Sequence, residues 1–344
     1  MTMLLRLVAV VFAAFMAITP AWARSITDSA GRKVEVPDRI TRVLAAGPPA
    51  SVLLAMLAPQ DMIGWIRAPR EAEKPYLPPS VRGLPEIGRL TGKGDTINLE
   101  KLVALKPDLI IDFGTISDTY KSLADRVQDQ THIPYLLIDG RFENAPAALR
   151  LIAGILGVKD RGEALAEAAE STLAEVDRVL AKVPPEKRPR VYLARQSEGL
   201  ETGAKGSINT EIIERAGGVN VVEGLRDKGG LVTASMENVI AWAPDTIITL
   251  DSGFARKVGT MPEWQPVPAV QRHRVFLAPN LPYGFIDSPP SINRLIGLTW
   301  LMHAFYPDRA PGDLRQQVGG FYHLFYQVDL SDADLDRLLG AGRN

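Results

Sequence analysis

The chain has 344 residues, 46% of them hydrophobic and 23% charged, with a formal net charge of −1. This is ordinary soluble composition and enough length for two domains, and a near-neutral balance without a basic block gives nucleic acid no purchase. The absence of cysteine excludes disulfides, thiolate metal sites, iron–sulfur clusters, cysteine nucleophiles and a lipidated cysteine, so the fold is held by its core alone.

The first 23 residues carry one positive charge (Arg6), an apolar run over residues 7–19, a helix-breaking Pro20 and then Ala21-Trp22-Ala23. That order predicts a secretory signal peptide cleaved after Ala23. The apolar run is too short to span a bilayer comfortably, so the mature chain is expected free in the periplasm, not anchored to the membrane.

"ITDSAGRKVEV" (residues 26–36) predicts a hairpin around a Ser-Ala-Gly turn. "RVLAAGPP" (42–49) predicts a buried strand ending in a Gly-Pro loop, followed by an apolar helix over 50–57 and a short strand "MIGWI" (62–66). A helix over 99–105, a Lys-Pro-Asp turn and a strand over 109–112 run into a loop, Phe113-Gly114-Thr115. A helix over 118–128 and a strand over 134–139 follow. Strands alternating with helices imply a parallel sheet covered on both faces.

After Asn144, read as a helix N-cap, "APAALRLIAGIL" predicts a helix broken at Gly157. Residues 159–183, rich in Ala, Glu and Leu, predict a second helix roughly 37 Å long, more than a small domain needs internally. From Arg190 the first theme returns. A strand over 190–195 leads to "SINTEIIERAGGVNVV", a helix running into a short strand. Then come a helix over 237–242, an Ala-Pro-Asp turn, a strand over 246–250 and a loop, Asp251-Ser252-Gly253. A strand over 274–279 and two helices, 291–305 and 313–326, close the chain.

One phrase is written twice. "INLEKLVALKPDLII" and "ASMENVIAWAPDTII" each hold a Glu (Glu100, Glu237), an apolar helical pattern, Pro-Asp seven residues after the Glu, and a β-branched run. Two lobes built alike and facing each other form a cleft, lined by loops at the carboxyl ends of parallel strands.

With these stretches, "ITDSAGRKVEVP", "RVLAAG" and the long helix of residues 159–183, the chain resembles the helical-backbone class of periplasmic substrate-binding proteins of ABC importers. The resemblance covers nearly all of the mature chain. It implies an α/β fold of two Rossmann-like lobes with central parallel sheets, joined by one long rigid α-helix, with the ligand cleft between the lobes. The expected division is a signal peptide (1–23), an N-terminal lobe (24–144), linking helices (145–184) and a C-terminal lobe (185–344). The resemblance also implies that Glu100 and Glu237 dock on the permease dimer, whose ATPase drives uptake. Each glutamate, at the start of its helix, is equally a residue that stabilises a helix N-terminus.

Loops after the predicted strands offer Pro48, Arg67, Arg89, Phe113, Thr115 and Arg141 from the first lobe. The second offers Arg195, Gln196, Ser252 and Tyr283, with Arg294 in the helix beyond. Guanidinium groups at one edge suit an anionic ligand, although any one of them alone reads as a solvated surface arginine. Tyr283, in the Pro-rich "NLPYGFIDSPPSINRLIG", could stack on a ligand, hydrogen-bond it or ligate Fe(III); packing on its own lobe is the plainer alternative.

The four histidines are scattered without ligand spacing, so a bare metal ion is disfavoured and no cofactor is expected. "GRLTGKGD" (88–95) lacks the Gly-Lys-Ser/Thr ending of a phosphate loop, and no G-x-S-x-G or H-E-x-x-H occurs. The expected function is that of a monomeric, non-enzymatic solute-binding protein. Its expected ligand is a metal chelate of the iron(III)-siderophore type, with molybdate or tungstate, cobalamin and haem as alternatives. An exported α/β enzyme acting on a small anionic substrate is the alternative of another class.

Overall fold

The computed structural model describes residues 23–92, 94, 96–225 and 230–340, so the predicted signal peptide, apart from Ala23, lies outside the described residues. The chain opens with the hairpin β1 (Ala23–Thr27) and β2 (Lys33–Pro37). β3 (Val43–Ala45) and α1 (Pro48–Leu57) follow, then α2 (Leu99–Leu105) and β4 (Leu109–Gly114). α3 (Asp118–Thr131) and β5 (Tyr135–Asp139) complete the first lobe, and α4 (Ala145–Leu156) and α5 (Lys159–Leu180) lead out of it. The second lobe begins with β6 (Arg190–Ala194), β7 (Glu201–Gly203), α6 (Glu211–Arg215), β8 (Val219–Asn220) and β9 (Leu231–Thr233). It continues with α7 (Met236–Trp242), β10 (Thr246–Thr249), α8 (Ser252–Lys257), α9 (Pro268–Gln271) and β11 (Val275–Leu277). α10 (Arg294–Phe305), α11 (Leu314–Phe321), a π-helical turn (Tyr322–Tyr326) and α12 (Asp332–Gly340) end the described chain.

Two parallel sheets stand at the centres of the lobes, three strands in the order β3-β4-β5 and four in the order β11-β10-β6-β8. β7 and β9 pair as a separate antiparallel ribbon. The main apolar core does not stop at a lobe boundary. It runs from Val43 and Leu54 through Leu165 and Val176 of α5 to Leu298 and Leu301 of α10. Smaller cores lie under the outer helices, around Leu102, Ile110 and Val127 in one lobe and Tyr192, Val239 and Ile247 in the other.

With 22 residues, α5 is about 33 Å long, and it is fastened towards both ends. Arg161 donates to the carbonyls of Met56 and Phe325, while Arg215 donates to Leu173 and pairs with Asp177. Against α4 the packing is backbone-close: a Cβ on Gly162 would lie 2.1 Å from the methyl of Ala153. This joint resists bending.

The repeated phrase is a repeat of backbone geometry. Asn98 caps α2 by accepting from Lys101 N–H, and Ser235 caps α7 by accepting from Asn238 N–H, at φ −86° and −89° with ψ 163° in both. Both helices end on a left-handed residue that is not glycine, Lys106 (φ 47°) and Ala243 (φ 45°). The aspartate of each Pro-Asp then clamps the start of the neighbouring sheet strand, β3 or β6. Asp108 accepts from the amides of Thr41 (2.8 Å) and Arg42 (3.0 Å), and Asp245 from that of Arg190 (3.1 Å). Arg42 and Arg190 return the contact by donating to the helix-end carbonyls of Leu105 and Trp242, both at 2.7 Å.

Several local expectations are corrected. Residues 62–66 form only the isolated bridges Val43–Met62 and Trp65–Glu86, because Trp65 exchanges backbone hydrogen bonds with the loop at Pro85 and Ile87. The predicted helix from Ser207 shrinks to α6, since Asn209 N–H bonds the Ser207 hydroxyl and Thr210 donates its hydroxyl to Ala204 O, both competing with helix. Asn144 gives no side-chain cap; its amide donates to Asp139, and Pro146 stands in the first turn of α4. Residues 251–253 are not a loop, because Asp251 accepts from Phe254 N–H and starts α8. α12 was not anticipated; it packs back towards the first lobe, where Tyr76 donates to Asp334 O.

Candidate functional site

Between the lobes lies a cavity of about 810 Å³. From the first lobe, Pro48 and Pro49 start α1 on its rim, and Trp65, Arg67, Arg89 and Thr91 come from the long connection before α2. The end of β4 and the residues after it supply Asp112, Phe113, Thr115 and Ile116, and α3 adds Tyr120. The second lobe brings Arg195 after β6, Ile208 and Asn209 before α6, and Tyr283 with Asp287-Ser288-Pro289-Pro290 before α10. From the parallel strands, Asp112 and Phe113 of β4 and Ile138 of β5 line it near their carboxyl ends, as parallel α/β sheets dictate.

Arg67 and Arg195 are held by carboxylates, and Arg89 donates to Gly94 O at 2.8 Å. Arg67 makes a two-pronged bond to Glu73 at 2.9 and 3.0 Å. Burial works against the Glu73 charge, yet hydrogen bonds from Arg70 N–H and the Arg67 and Arg70 guanidinium groups hold its carboxyl below the ordinary value. Arg195 is pinned between Asp287 and Glu201, and Asp287 also accepts from the Asn209 amide at 3.1 Å. Such pairing orients the guanidinium groups and lowers the positive charge they present.

Asp112 differs. Its carboxyl accepts from Tyr135 OH (3.2 Å) and Thr91 OH (3.3 Å), and burial raises it to about 6 against the lowering by those bonds and the Phe113 N–H. Tyr283 faces Trp65 with ring centroids 6.2 Å apart. Burial first, then the Glu73 carboxylate, pushes its phenol well above the ordinary range despite Arg67. The phenol is therefore a hydrogen-bond donor or stacking surface at neutral pH in the metal-free cavity. Among the described residues no cluster of three His, Asp or Glu side chains is placed to hold a metal ion.

A second cavity, also of about 810 Å³, shares Thr91, Gly92, Thr115, Tyr120 and Ile208 with the first. Among the described residues its wall carries Arg126, Arg141 and Lys205 with several hydroxyls and no carboxylate.

Of the side chains selected from sequence, Pro48, Arg67, Arg89, Phe113, Thr115, Arg195 and Tyr283 thus meet on the inner cavity. The others do not. Arg141 lies on the outer cavity and reaches across to Gly206 O at 3.4 Å. Gln196 turns away at positive φ (65°) and bonds Glu201. Ser252 is exposed in the first turn of α8, outside both cavity walls.

Arg294 is buried as an inter-lobe fastener. It donates to Gly140 O (2.9 Å) in one lobe and Ile208 O (2.8 Å) in the other, pairs with Glu211, and lies 4.4 Å over the Phe142 ring. Missed from sequence were Trp65, Asp112, Tyr120, Asn209 and Asp287. The signal for Asp112 was an ionisable residue ending an otherwise apolar parallel strand; Asp287 stood inside the Pro-rich segment already singled out.

Glu100 and Glu237 are exposed second residues of α2 and α7. The Ser235 hydroxyl, then the residue's own N–H, hold the Glu237 carboxyl below its ordinary value. Each helix runs back against its strand, so both glutamates sit towards the cleft edge of their sheets.

Comparison with known proteins accords with this geometry. The family model described as "Periplasmic binding protein" matches residues 53–281. The molybdate-binding protein MolA of Haemophilus influenzae is 27% identical over 338 residues, covering 89% of this chain and 91% of the relative. The vitamin B12-binding protein of Salmonella typhi is 28% identical over 174 residues, 50% of this chain and 60% of the relative. Among solved structures, an ABC transporter solute-binding protein from Sulfurospirillum deleyianum superposes with a TM-score of 0.84 at 29% identity, over 92% of this chain and 99% of the other. Molybdate-bound MolA does so at 0.71 and 25%, over 90% and 99%. No helix among the described residues is long and apolar enough to cross a membrane. The chain belongs to the periplasmic binding protein family and has the two-lobed α/β fold of substrate-binding proteins of ABC transporters.

Proposed function

We propose that this chain captures a metal-containing anion between its lobes in the periplasm and delivers it to the permease dimer of an ABC importer. The observation that carries this reading is the convergence of Arg67, Arg89 and Arg195, from both lobes, on one cavity, where bidentate recognition of an oxyanion is available. A molybdate-type oxyanion comes first, supported by the H. influenzae relative named for molybdate, which matches 89% of the chain.

A chelate of the iron(III)-siderophore type is the second reading, favoured by a cavity of about 810 Å³ with Trp65, Phe113, Tyr120 and Tyr283 on its wall. That is far more room than one tetrahedral oxyanion fills. Titration of the purified protein with molybdate, tungstate, sulfate and a ferric siderophore, followed by calorimetry and tryptophan fluorescence, separates the two. Binding of none, with turnover of a small substrate instead, would sink both.

Glu100 and Glu237 are the proposed docking points on the permease. Among the described residues the strongly exposed large apolar side chains are Val103, Val219 and Ile240. Val103 and Ile240 each stand three residues after the glutamate, on the same helix face. A matched charge and apolar residue on both lobes suits a partner with two equivalent subunits. Reversing both glutamate charges should abolish uptake while ligand binding stays intact.

A further inference from the structure

Asp112 is the carboxylate of the inner cavity whose hydrogen bonds come only from neutral groups: Tyr135 OH, Thr91 OH and the Phe113 N–H. Among the described residues the other aspartate on this wall, Asp287, has Arg195 against it. Around Asp112, α3 contributes the Tyr120 phenol and β5 the Tyr135 phenol. Behind Tyr135 the Arg32 guanidinium is already engaged by Asp28, Asp125 and the Tyr135 carbonyl. Across the cavity are Arg67, Arg89, Arg195 and Tyr283. An anion held by those arginines would share a low-dielectric space with this carboxylate, and like charges so placed cannot both stay ionised cheaply.

We propose that Asp112 receives the anion as a neutral carboxylic acid, its O–H donating into the cavity, so that capture takes up one proton from solvent. Burial has already brought the carboxyl to about 6 in the empty cavity. Near neutral pH a modest push from the bound anion then completes protonation. The same acid discriminates between ligands: it donates to an oxyanion, and it attracts a cation less than it would if ionised. This inference rests on the anion reading of the cavity.

Calorimetry with molybdate and with a ferric siderophore, between pH 6 and 8.5 in buffers of different ionisation enthalpy, tests it. For the wild type the affinity should fall by up to about tenfold per pH unit above 6, with uptake approaching one proton. Asp112→Asn cannot ionise and keeps one acceptor oxygen for Tyr135 or Thr91, its NH2 donating to the other hydroxyl, so it should bind with little pH dependence and at least about tenfold tighter at pH 8. Tyr135→Phe removes a donor to the ionised form, so the break in the wild-type pH profile should move upward. A residue with a merely structural role would lower affinity equally at every pH.

Binding without proton uptake, and with Asp112→Asn no tighter at pH 8, overturns this inference and leaves the anion reading standing. Failure of the wild type to bind any probe overturns both; failure of Asp112→Asn alone overturns this inference.

Discussion

The two Pro-Asp units start alike and finish differently. Up to the third residue of the strand, α2–β4 and α7–β10 share cap geometry, left-handed helix ends and an aspartate clamp. Then Asp112 in one stands where buried Thr249 stands in the other, and Gly114 where Asp251 stands. Asp251 caps a new helix and turns the chain away from the cleft. Gly114 instead continues β4 beside Gly140, close enough that a Cβ on Gly140 would lie 2.9 Å from its Cα. The repeat therefore builds the scaffold twice and the ligand wall once. The second lobe supplies its share from non-repeated segments, Arg195, Asn209 and Tyr283–Pro290.

The largest expected effect concerns what joins the two units. Arg294→Ala removes hydrogen bonds to both lobes and leaves Glu211 without its buried partner. Chemical denaturation should show a loss of about 3–5 kcal/mol. A loss under 1 kcal/mol would mean that the shared core alone holds the lobes together.

Next is the residue at which the strands diverge. The Asp112 carboxyl sits at about 6 in the folded chain against an ordinary value of 3.8. A raised acid favours the folded state while protonated, so its contribution is fully present below about 4 and lost as pH rises through about 6. Asp112→Asn should therefore stabilise the protein at pH 8 by up to ~3 kcal/mol and leave it unchanged near pH 4. Melting curves at the two pH values check the sign.

The clamps should prove unequal. Asp108 accepts from two backbone amides and Asp245 from one. Asp108→Ala should cost about 2 kcal/mol and Asp245→Ala about 1. Equal losses would show that the repeat is energetically as well as geometrically symmetric. Smallest in stability terms are Val103→Ser and Ile240→Ser, each within about 0.5 kcal/mol because both are surface positions. Together they should slow uptake through the cognate permease without changing ligand affinity; unchanged uptake would leave the glutamates as the sole docking points.

Local chemistry made the scaffold legible. Asn98 and Ser235 announce helix starts, Pro107 and Pro244 forbid continuation, and the β-branched runs that follow read as buried parallel strands. Arg67, Arg89, Arg195 and Tyr283 were also within reach, because strand ends and the loops beyond them converge wherever parallel sheets face each other. Their position at strand ends follows from the local pattern, which the sequence by itself displays.

What only the tertiary structure decided are the roles set by distant partners. Arg294 looked like a ligand contact until Gly140, Ile208 and Glu211 were brought around it from both lobes. Asp112 looked like the end of a strand until Tyr135 and Thr91 closed over it and left it facing the cavity. Charge and polarity are written in the sequence, but burial and pairing depend on which segments meet in three dimensions. Those contacts determine whether an ionisable group fastens the fold or meets a ligand.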